Sequence, residues 1–277
     1  MPHFLISRAR SGIQYIQEFL YGIEFPAKGS AIYSYSIEAV EIVAAIIFII
    51  GSVCFLPQYS KNVEVFMLGC NLFIVGAVGY VVICGMTLIE AWGEKKGWTF
   101  EVWENLLYLV GSVVFVFGTV LYFPERDHCE HVGASVGEDG TCSSLAQEVN
   151  KGAKEWYGTL LFILGSMIFV VAVFLNALNQ RKFILWQHQI VCVITMFYML
   201  GSVLFCMGSV AFLPDVGCGP EMVLIGAWMF IVGSVLFFLA SLLSLWRTSY
   251  MLNHPEEDEE EDALLANSEA KSSGLKK

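Results

Sequence analysis

Six long apolar runs constrain the fold of this chain more than any other feature. A helix needs about 20 apolar residues to cross the hydrocarbon core of a bilayer. Backbone polar groups in lipid must be satisfied internally, and the runs lack the short alternating segments of a barrel. The pattern therefore predicts an all-α membrane protein with six transmembrane helices. The runs are Ile37–Leu56, Val63–Ile89, Asn105–Phe123, Trp156–Leu178, Ile190–Leu213 and Met222–Trp246.

Charge is distributed unevenly along the chain. The composition is 56% hydrophobic and 15% charged, yet the net charge is −11. This composition excludes a disordered chain, a nucleic-acid binder and an ordinary soluble enzyme. Seven consecutive acids, Glu256–Asp262, supply −7 of that charge. We expect a disordered acidic tail over residues 248–277, because such a block is solvated.

The tail also contains a short sorting pattern. Glu260, Leu264 and Leu265 form Glu-x-x-x-Leu-Leu, which resembles an acidic dileucine signal read by clathrin adaptors. That resemblance implies an adaptor as partner and an endosomal or vacuolar membrane. The alternative is a plain solvated tail on a plasma-membrane protein.

Basic residues indicate the orientation of the chain. With six spans both termini share one side, which carries 11 of the 15 lysines and arginines. Because positive loops stay in the cytosol, we predict cytosolic termini. Residues 1–36 carry apolar positions at helical spacing beside Arg8 and Arg10. They predict either an amphipathic interfacial helix or a segment packed on the bundle.

Three cysteines fall in loops predicted to be exoplasmic. An oxidising compartment would permit a disulfide there, and we expect Cys129–Cys142, with Cys218 as competitor or free thiol. Zinc ligation by Cys129 and Cys142 with His128 and His131 is the alternative. Their spacing matches no standard zinc finger, so we expect no metal.

The spans repeat in pairs. The first, third and fifth end in similar seven-residue segments, and the second, fourth and sixth share a Gly-x₆-Gly segment. Six ungapped matches predict three tandem two-helix units, the middle one with a loop insertion over residues 125–155. The segments are Gly51–Pro57, Gly118–Pro124, Gly208–Pro214, Gly69–Gly76, Gly158–Gly165 and Gly226–Gly233.

Each span also holds two pairs of small residues seven positions apart. A seven-residue period keeps one face toward a partner, and small residues let helix backbones approach closely. We predict a bundle pinched in its exoplasmic half and looser toward the cytosol, or a narrow pathway lined by backbone. The candidate packing glycines are Gly51, Gly69, Gly76, Gly111, Gly118, Gly158, Gly165, Gly201, Gly208, Gly226 and Gly233.

The unit of a span ending Gly-Ser-x-x-Phe, a short loop and Leu-Phe-x-x-Gly-Ser resembles the YrhK-like domain. The first repeat fits least well, because Ala44-Ala45 and Gly76-Ala77 replace Gly-Ser pairs. The resemblance implies three membrane repeats over 37–92, 104–182 and 186–247. The family has no established activity, so no catalytic residue is implied.

Few polar residues lie within the predicted spans. An ionisable group inside a membrane is a functional hypothesis by default. Here such groups predict a cytosolic vestibule that attracts cations or relays protons, or else solvated interfacial acids. Asn71, the deepest, is expected to bond across helices or to contact a substrate. The candidates are Glu38, Glu41, Asn71, Glu90, Glu104, Asn105 and His188.

Two common sequence motifs for catalysis are missing. The chain has no Walker loop and no His-Glu-x-x-His. We therefore expect no enzyme and no cofactor. Two functions stay open. One is a structural or assembly protein that forms homo-oligomers through its small-residue seams. The other is a channel or transporter for a small ion or solute.

Overall fold

A computed structural model describes residues 31–95, 99–122, 145–179, 186–213 and 220–254. These residues form seven helices and contain no strand. A four-residue helix, Pro57–Ser60, lies between the first two long ones. The long helices are α1 Ala31–Cys54, α2 Val63–Lys95, α3 Phe100–Tyr122, α4 Leu145–Asn179, α5 Trp186–Ala211 and α6 Pro220–Asn253.

All six long helices are long and apolar enough to cross a membrane. The predicted all-α architecture with six such helices is therefore confirmed. Several helices extend beyond the apolar runs: α1 begins at Ala31, α4 begins at Leu145 inside the predicted loop, and α6 continues to Asn253. Hydropathy marks only the part of a helix that tolerates lipid, whereas helical hydrogen bonding continues until a breaker. Pro255 comes two residues after the last residue of α6, Asn253.

The long helices form a closed ring in chain order. Each packs against its neighbours in sequence, and α1 closes the ring against α6. Near the start of α1 the Tyr35 hydroxyl donates a hydrogen bond of 3.2 Å to Ser249 Oγ, near the end of α6. We call this the near end of the bundle, and the opposite end, with helix Pro57–Ser60, the far end.

The small-residue pairs hold the ring together. All twelve pairs are buried. A Cβ atom on Gly158 would lie 3.0 Å from the carbonyl oxygen of Gly118, and one on Gly226 would lie 3.0 Å from that of Gly208. At these points the backbones of adjacent helices touch. Such contact supplies packing energy where lipid provides no hydrophobic drive.

An aromatic residue follows the first member of every small pair by four positions. Eight of the twelve rings cover a glycine on the adjacent helix: the Phe73 ring lies 2.7 Å from where a Cβ on Gly51 would be, and the Phe237 ring 2.6 Å from that on Gly201. No larger residue fits beneath these rings. The twelve aromatic residues are Phe48, Phe55, Phe73, Tyr80, Phe115, Tyr122, Phe162, Phe169, Phe205, Phe212, Phe230 and Phe237.

Replacing Gly158 with Ala tests the backbone contact. The new methyl would meet the Gly118 carbonyl oxygen and the Tyr122 nitrogen, both at 3.0 Å. Because backbone cannot move aside cheaply, we expect unfolding free energy to fall by about 1–3 kcal/mol. Thermal unfolding in detergent micelles measures this effect.

Gly85→Ala is the matched control in α2. A Cβ there has nothing within 4 Å, and Ala is favoured over Gly in a helix by about 1 kcal/mol. We therefore expect this variant to be unchanged or slightly more stable. Equal stability of the two variants would contradict the proposed role of the glycine seam.

Candidate functional site: a one-ended cavity inside the ring

A cavity of about 290 Å³ lies among the near-end halves of the helices. It forms where the small pairs stop. One heptad beyond the last pair, α2 carries Ile83-Cys84, α3 carries Glu104-Asn105 and α5 carries Ile194-Thr195. These larger side chains line the cavity. On these three helices the larger pairs hold the backbones apart and leave space, whereas α6 keeps the small, fully buried pair Ala240-Ser241 at this level.

On each helix the inward-facing position one heptad beyond the aromatic rings carries a polar residue that lines the cavity. Each residue lies seven positions from a core ring on the same helix, so it shares the inward face. The inward-facing side chains thus change from core rings to hydrogen-bonding groups where the helices part. The six residues, all lining the cavity, are Glu41, Thr87, Tyr108, Asn176, Tyr198 and Ser244.

Glu41 of α1 is bound from across the ring. The Tyr198 hydroxyl on α5 donates a hydrogen bond of 2.9 Å to Glu41 Oε2. The same hydroxyl lies 3.3 Å from Ser241 Oγ on α6. The hydroxyls of Tyr80 and Tyr108 are also within electrostatic range of Glu41. One carboxyl and three tyrosines therefore share the cavity interior.

Two further acids, Glu104 and Glu38, lie in the near-end half of the bundle. Asn176 Nδ2 on α4 donates to Glu104 Oε1 on α3. Glu38 is buried behind the wall, where Ser244 Oγ and Thr248 Oγ1 donate to its Oε1 at 2.8 and 2.9 Å. The guanidinium of Arg247, which lines the cavity, acts electrostatically on Glu38. Among the described residues, the cavity wall thus carries two acids and one arginine, with a third acid just behind it.

Three phenylalanine rings close the cavity toward the far end. Phe48, Phe115 and Phe205 come from α1, α3 and α5, and their ring centroids are 6.1–6.2 Å apart. The Phe73 ring lies 5.1–6.2 Å from all three. Beyond them is a void of only about 20 Å³, lined by rings that include Phe212. The described far half is therefore a stacked aromatic plug.

The candidates from the sequence occupy different places. Glu41, Glu104 and Asn105 meet at the cavity, and Glu38 lies behind its wall. Asn71 lies on the exposed outer surface. It follows Gly69 by two residues and therefore points about 200° away from the glycine seam.

Other sequence predictions fall outside what the structure describes. Glu90 and His188 belong to α2 and α5, but their side chains are not described. The proposed disulfide Cys129–Cys142, residues 1–30 and the tail with Glu260, Leu264 and Leu265 lie outside the described residues. These stay predictions.

Sequence reasoning missed most of the hydroxyl and amide groups in the cavity. Thr87, Tyr108, Asn176, Tyr198 and Ser244 have no unusual local motif. The usable signal was the heptad itself: one step beyond each inward-facing aromatic residue identifies them. Acids stand out within apolar spans, whereas the hydroxyl and amide residues that bond to them do not.

Comparison with known families adds one finding. A family model described as YrhK-like protein matches residues 31–90 and again residues 189–249. The chain carries two YrhK-like domains. They correspond to α1–α2 and to α5–α6, so the predicted resemblance is confirmed for these two pairs. A third copy over α3–α4 stays a prediction. No curated protein and no solved structure matches the chain significantly.

The two YrhK-like domains meet at the site. Alignment of Gly51 with Gly208 places Glu41 opposite Tyr198, since both precede that glycine by ten residues. The bond between them therefore joins equivalent positions of the two copies. One position has become an acid and the other its donor.

A double-mutant cycle on Glu41 and Tyr198 tests this bond. We expect Glu41→Gln and Tyr198→Phe to be non-additive, with a coupling energy of about 0.6–1.7 kcal/mol, the range for interhelical hydrogen bonds in membranes. Thermal unfolding in detergent gives the four stabilities.

Tyr35→Phe serves as the control for loss of a hydroxyl. Its bond to Ser249 is at an exposed position, so it should not couple with Glu41→Gln. Additive effects of Glu41→Gln and Tyr198→Phe would show that the observed bond contributes nothing to stability.

Proposed function

We propose that this protein is a membrane transporter for a small solute and not an enzyme. The observation that carries the proposal is the cavity inside the ring, polar at Glu41 and closed toward the far end by Phe48, Phe115 and Phe205. Secondary transporters bind their substrates inside the helix bundle and open the site to one side at a time. A purely structural bundle would need neither the space nor the buried acids.

Burial of the small pairs argues against the alternative of an assembly protein built through its seams. All twelve pairs are buried within one chain. The outer surface instead presents large apolar side chains such as Phe117 and Trp228, 61% and 52% exposed. That surface suits lipid, which we infer to be the main partner. A homo-oligomer would have to use another face.

Transport would require the aromatic plug to open. Phe48, Phe115 and Phe205 are held together by ring contacts, each worth about 0.5–1.5 kcal/mol. The aromatic residues recur every seven positions along each helix. A helix that slides along its neighbours can therefore exchange its ring contacts for similar contacts one heptad away. We propose that such a shift lets solute pass the aromatic plug toward the far end.

The distribution of basic residues gives the proposal a direction. With the termini cytosolic, as 11 of 15 bases indicate, the near end faces the cytosol and the cavity opens there. The membrane would be endosomal, vacuolar or plasma membrane, according to whether the tail binds a sorting adaptor.

Truncating a ring of the aromatic plug should increase the permeation of solutes through the protein. Phe115 contacts the rings of Phe48, Phe162 and Phe205. Losing even one such pair, about 1.4 kcal/mol, raises an open population about tenfold. We expect Phe115→Ala to increase permeation in reconstituted liposomes by about that factor, measured by stopped-flow osmotic swelling with urea, glycerol and monovalent salts.

Phe117→Ala is the control on the same helix, since Phe117 is 61% exposed on the outer surface. It should leave permeation at the wild-type level. A Phe115→Ala protein that shows no increase in permeation of any solute would contradict the proposed role of the aromatic plug as the barrier.

Water access to the cavity can be measured by cysteine labelling. In a cysteine-free background, Thr87→Cys places a thiol at the cavity lining. We expect it to react with a membrane-impermeant thiosulfonate added on the near side only. Val120→Cys, on the half-exposed outer face, should stay unreactive because lipid excludes the reagent and the thiolate. Equal protection of both thiols would mean a dry, closed cavity.

A further inference from the structure

The charges around the cavity favour a cationic ligand. Among the described lining residues, Glu41 and Glu104 are acids and Arg247 is the one lysine or arginine. Arg247 acts on Glu38, a third acid just behind the wall. Counted as ionised groups, this near-end cluster carries three negative charges and one positive. Glu41 is held by a tyrosine hydroxyl, which neutralises no charge.

The walls favour an organic cation over a metal ion. Glu41 shares the cavity with the rings of Tyr80, Tyr108 and Tyr198, and Phe169 and Phe237 complete the walls on α4 and α6. Ca²⁺ takes about six to eight oxygen ligands that include carboxylates, and no three His, Cys, Asp or Glu side chains cluster as a metal site among the described residues. Aromatic faces beside a carboxylate attract ammonium groups through cation–π interactions.

Two buried hydroxyls give an independent sign of a ligand. Tyr80 Oη and Ser166 Oγ both belong to cavity-lining residues, and neither has a hydrogen-bond partner among the described residues. Ser166 is 0% exposed. Its repeat equivalent Ser234 donates to the carbonyl four residues earlier at 2.8 Å. Buried polar groups are normally satisfied, and Arg247 Nε in the same lining also has no partner among the described residues. The lining thus leaves two hydroxyls and one guanidinium nitrogen to be bonded by a ligand or by water.

We propose that the cavity binds a small protonated amine, with its ammonium group at Glu41 between the tyrosine rings and its N–H donors shared with Tyr80 and Ser166. The proposal rests on the transport function and names its substrate class. At about 30 Å³ per water-sized unit, a 290 Å³ cavity holds a molecule of about ten non-hydrogen atoms. Simple alkylamines and amino alcohols have this size.

The test is equilibrium binding to the purified full-length protein in detergent, which needs no transport. Thermal stabilisation and calorimetry are compared for propylamine, tetramethylammonium, potassium and the neutral isostere 1-propanol. We expect saturable stabilisation by propylamine. Glu41→Gln should weaken its binding about tenfold to hundredfold, since it removes a charge-assisted hydrogen bond. Ser166→Ala and Tyr80→Phe should weaken it severalfold.

Ser234→Ala is the matched control, because Ser234 has the same repeat position as Ser166 but does not line the cavity. It should bind propylamine as wild type does. Ser166→Ala and Tyr80→Phe keep the test decisive if Glu41→Gln fails to fold.

Three outcomes would overturn the proposal: equal binding of propylamine and 1-propanol, stabilisation by potassium or tetramethylammonium alone, or propylamine binding unchanged in all cavity variants. None of these outcomes bears on whether Thr87→Cys reacts or Phe115→Ala leaks. The ligand class can therefore fail while the transport proposal stands.

Discussion

Contact between helix backbones at the glycine seams determines the rest of this structure. Lipid solvates apolar side chains as well as the protein interior does, so helices in a membrane associate through close packing. Each helix carries two small pairs, and eight of the rings four residues after a pair cover a glycine on the adjacent helix. The glycine contacts join α1 to α2, α3 to α4 and α5 to α6, and packing between these three pairs closes the ring.

The cavity lies where the small pairs give way to larger ones on three of the helices. One heptad toward the near end, α2, α3 and α5 carry Ile83-Cys84, Glu104-Asn105 and Ile194-Thr195, while the inward-facing rings are replaced by polar residues. Both changes occur at one depth. The same seven-residue register thus builds a tight aromatic plug in one half and a polar chamber in the other, without a break in any helix.

The acids in the chamber are stabilised by partners from distant parts of the chain. Placing a charged side chain at mid-membrane costs about 2.5–3.5 kcal/mol, and a hydrogen bond to a charged group returns about 1.5–3 kcal/mol. Tyr198 supplies one such bond to Glu41, whereas Glu38 receives two hydroxyls on Oε1 and keeps Oε2 buried without a partner among the described residues. The free energy that burial costs and the free energy that the hydrogen bond returns are therefore similar, which suits a group that exchanges partners with a ligand.

Much of this could be predicted from the sequence, because membrane solvation acts on each segment separately. Apolar length alone determined six helices, and the Gly-x₆-Gly spacing located the residues where backbones touch. Which residues share the cavity was decided by the tertiary structure. Asn71 looked as promising as Glu41 but lies outside the ring, since side-chain direction depends on its angle from the seam. Tyr198 became the partner of Glu41 only when ring closure brought α5 to face α1 across the bundle, 157 residues apart in the chain.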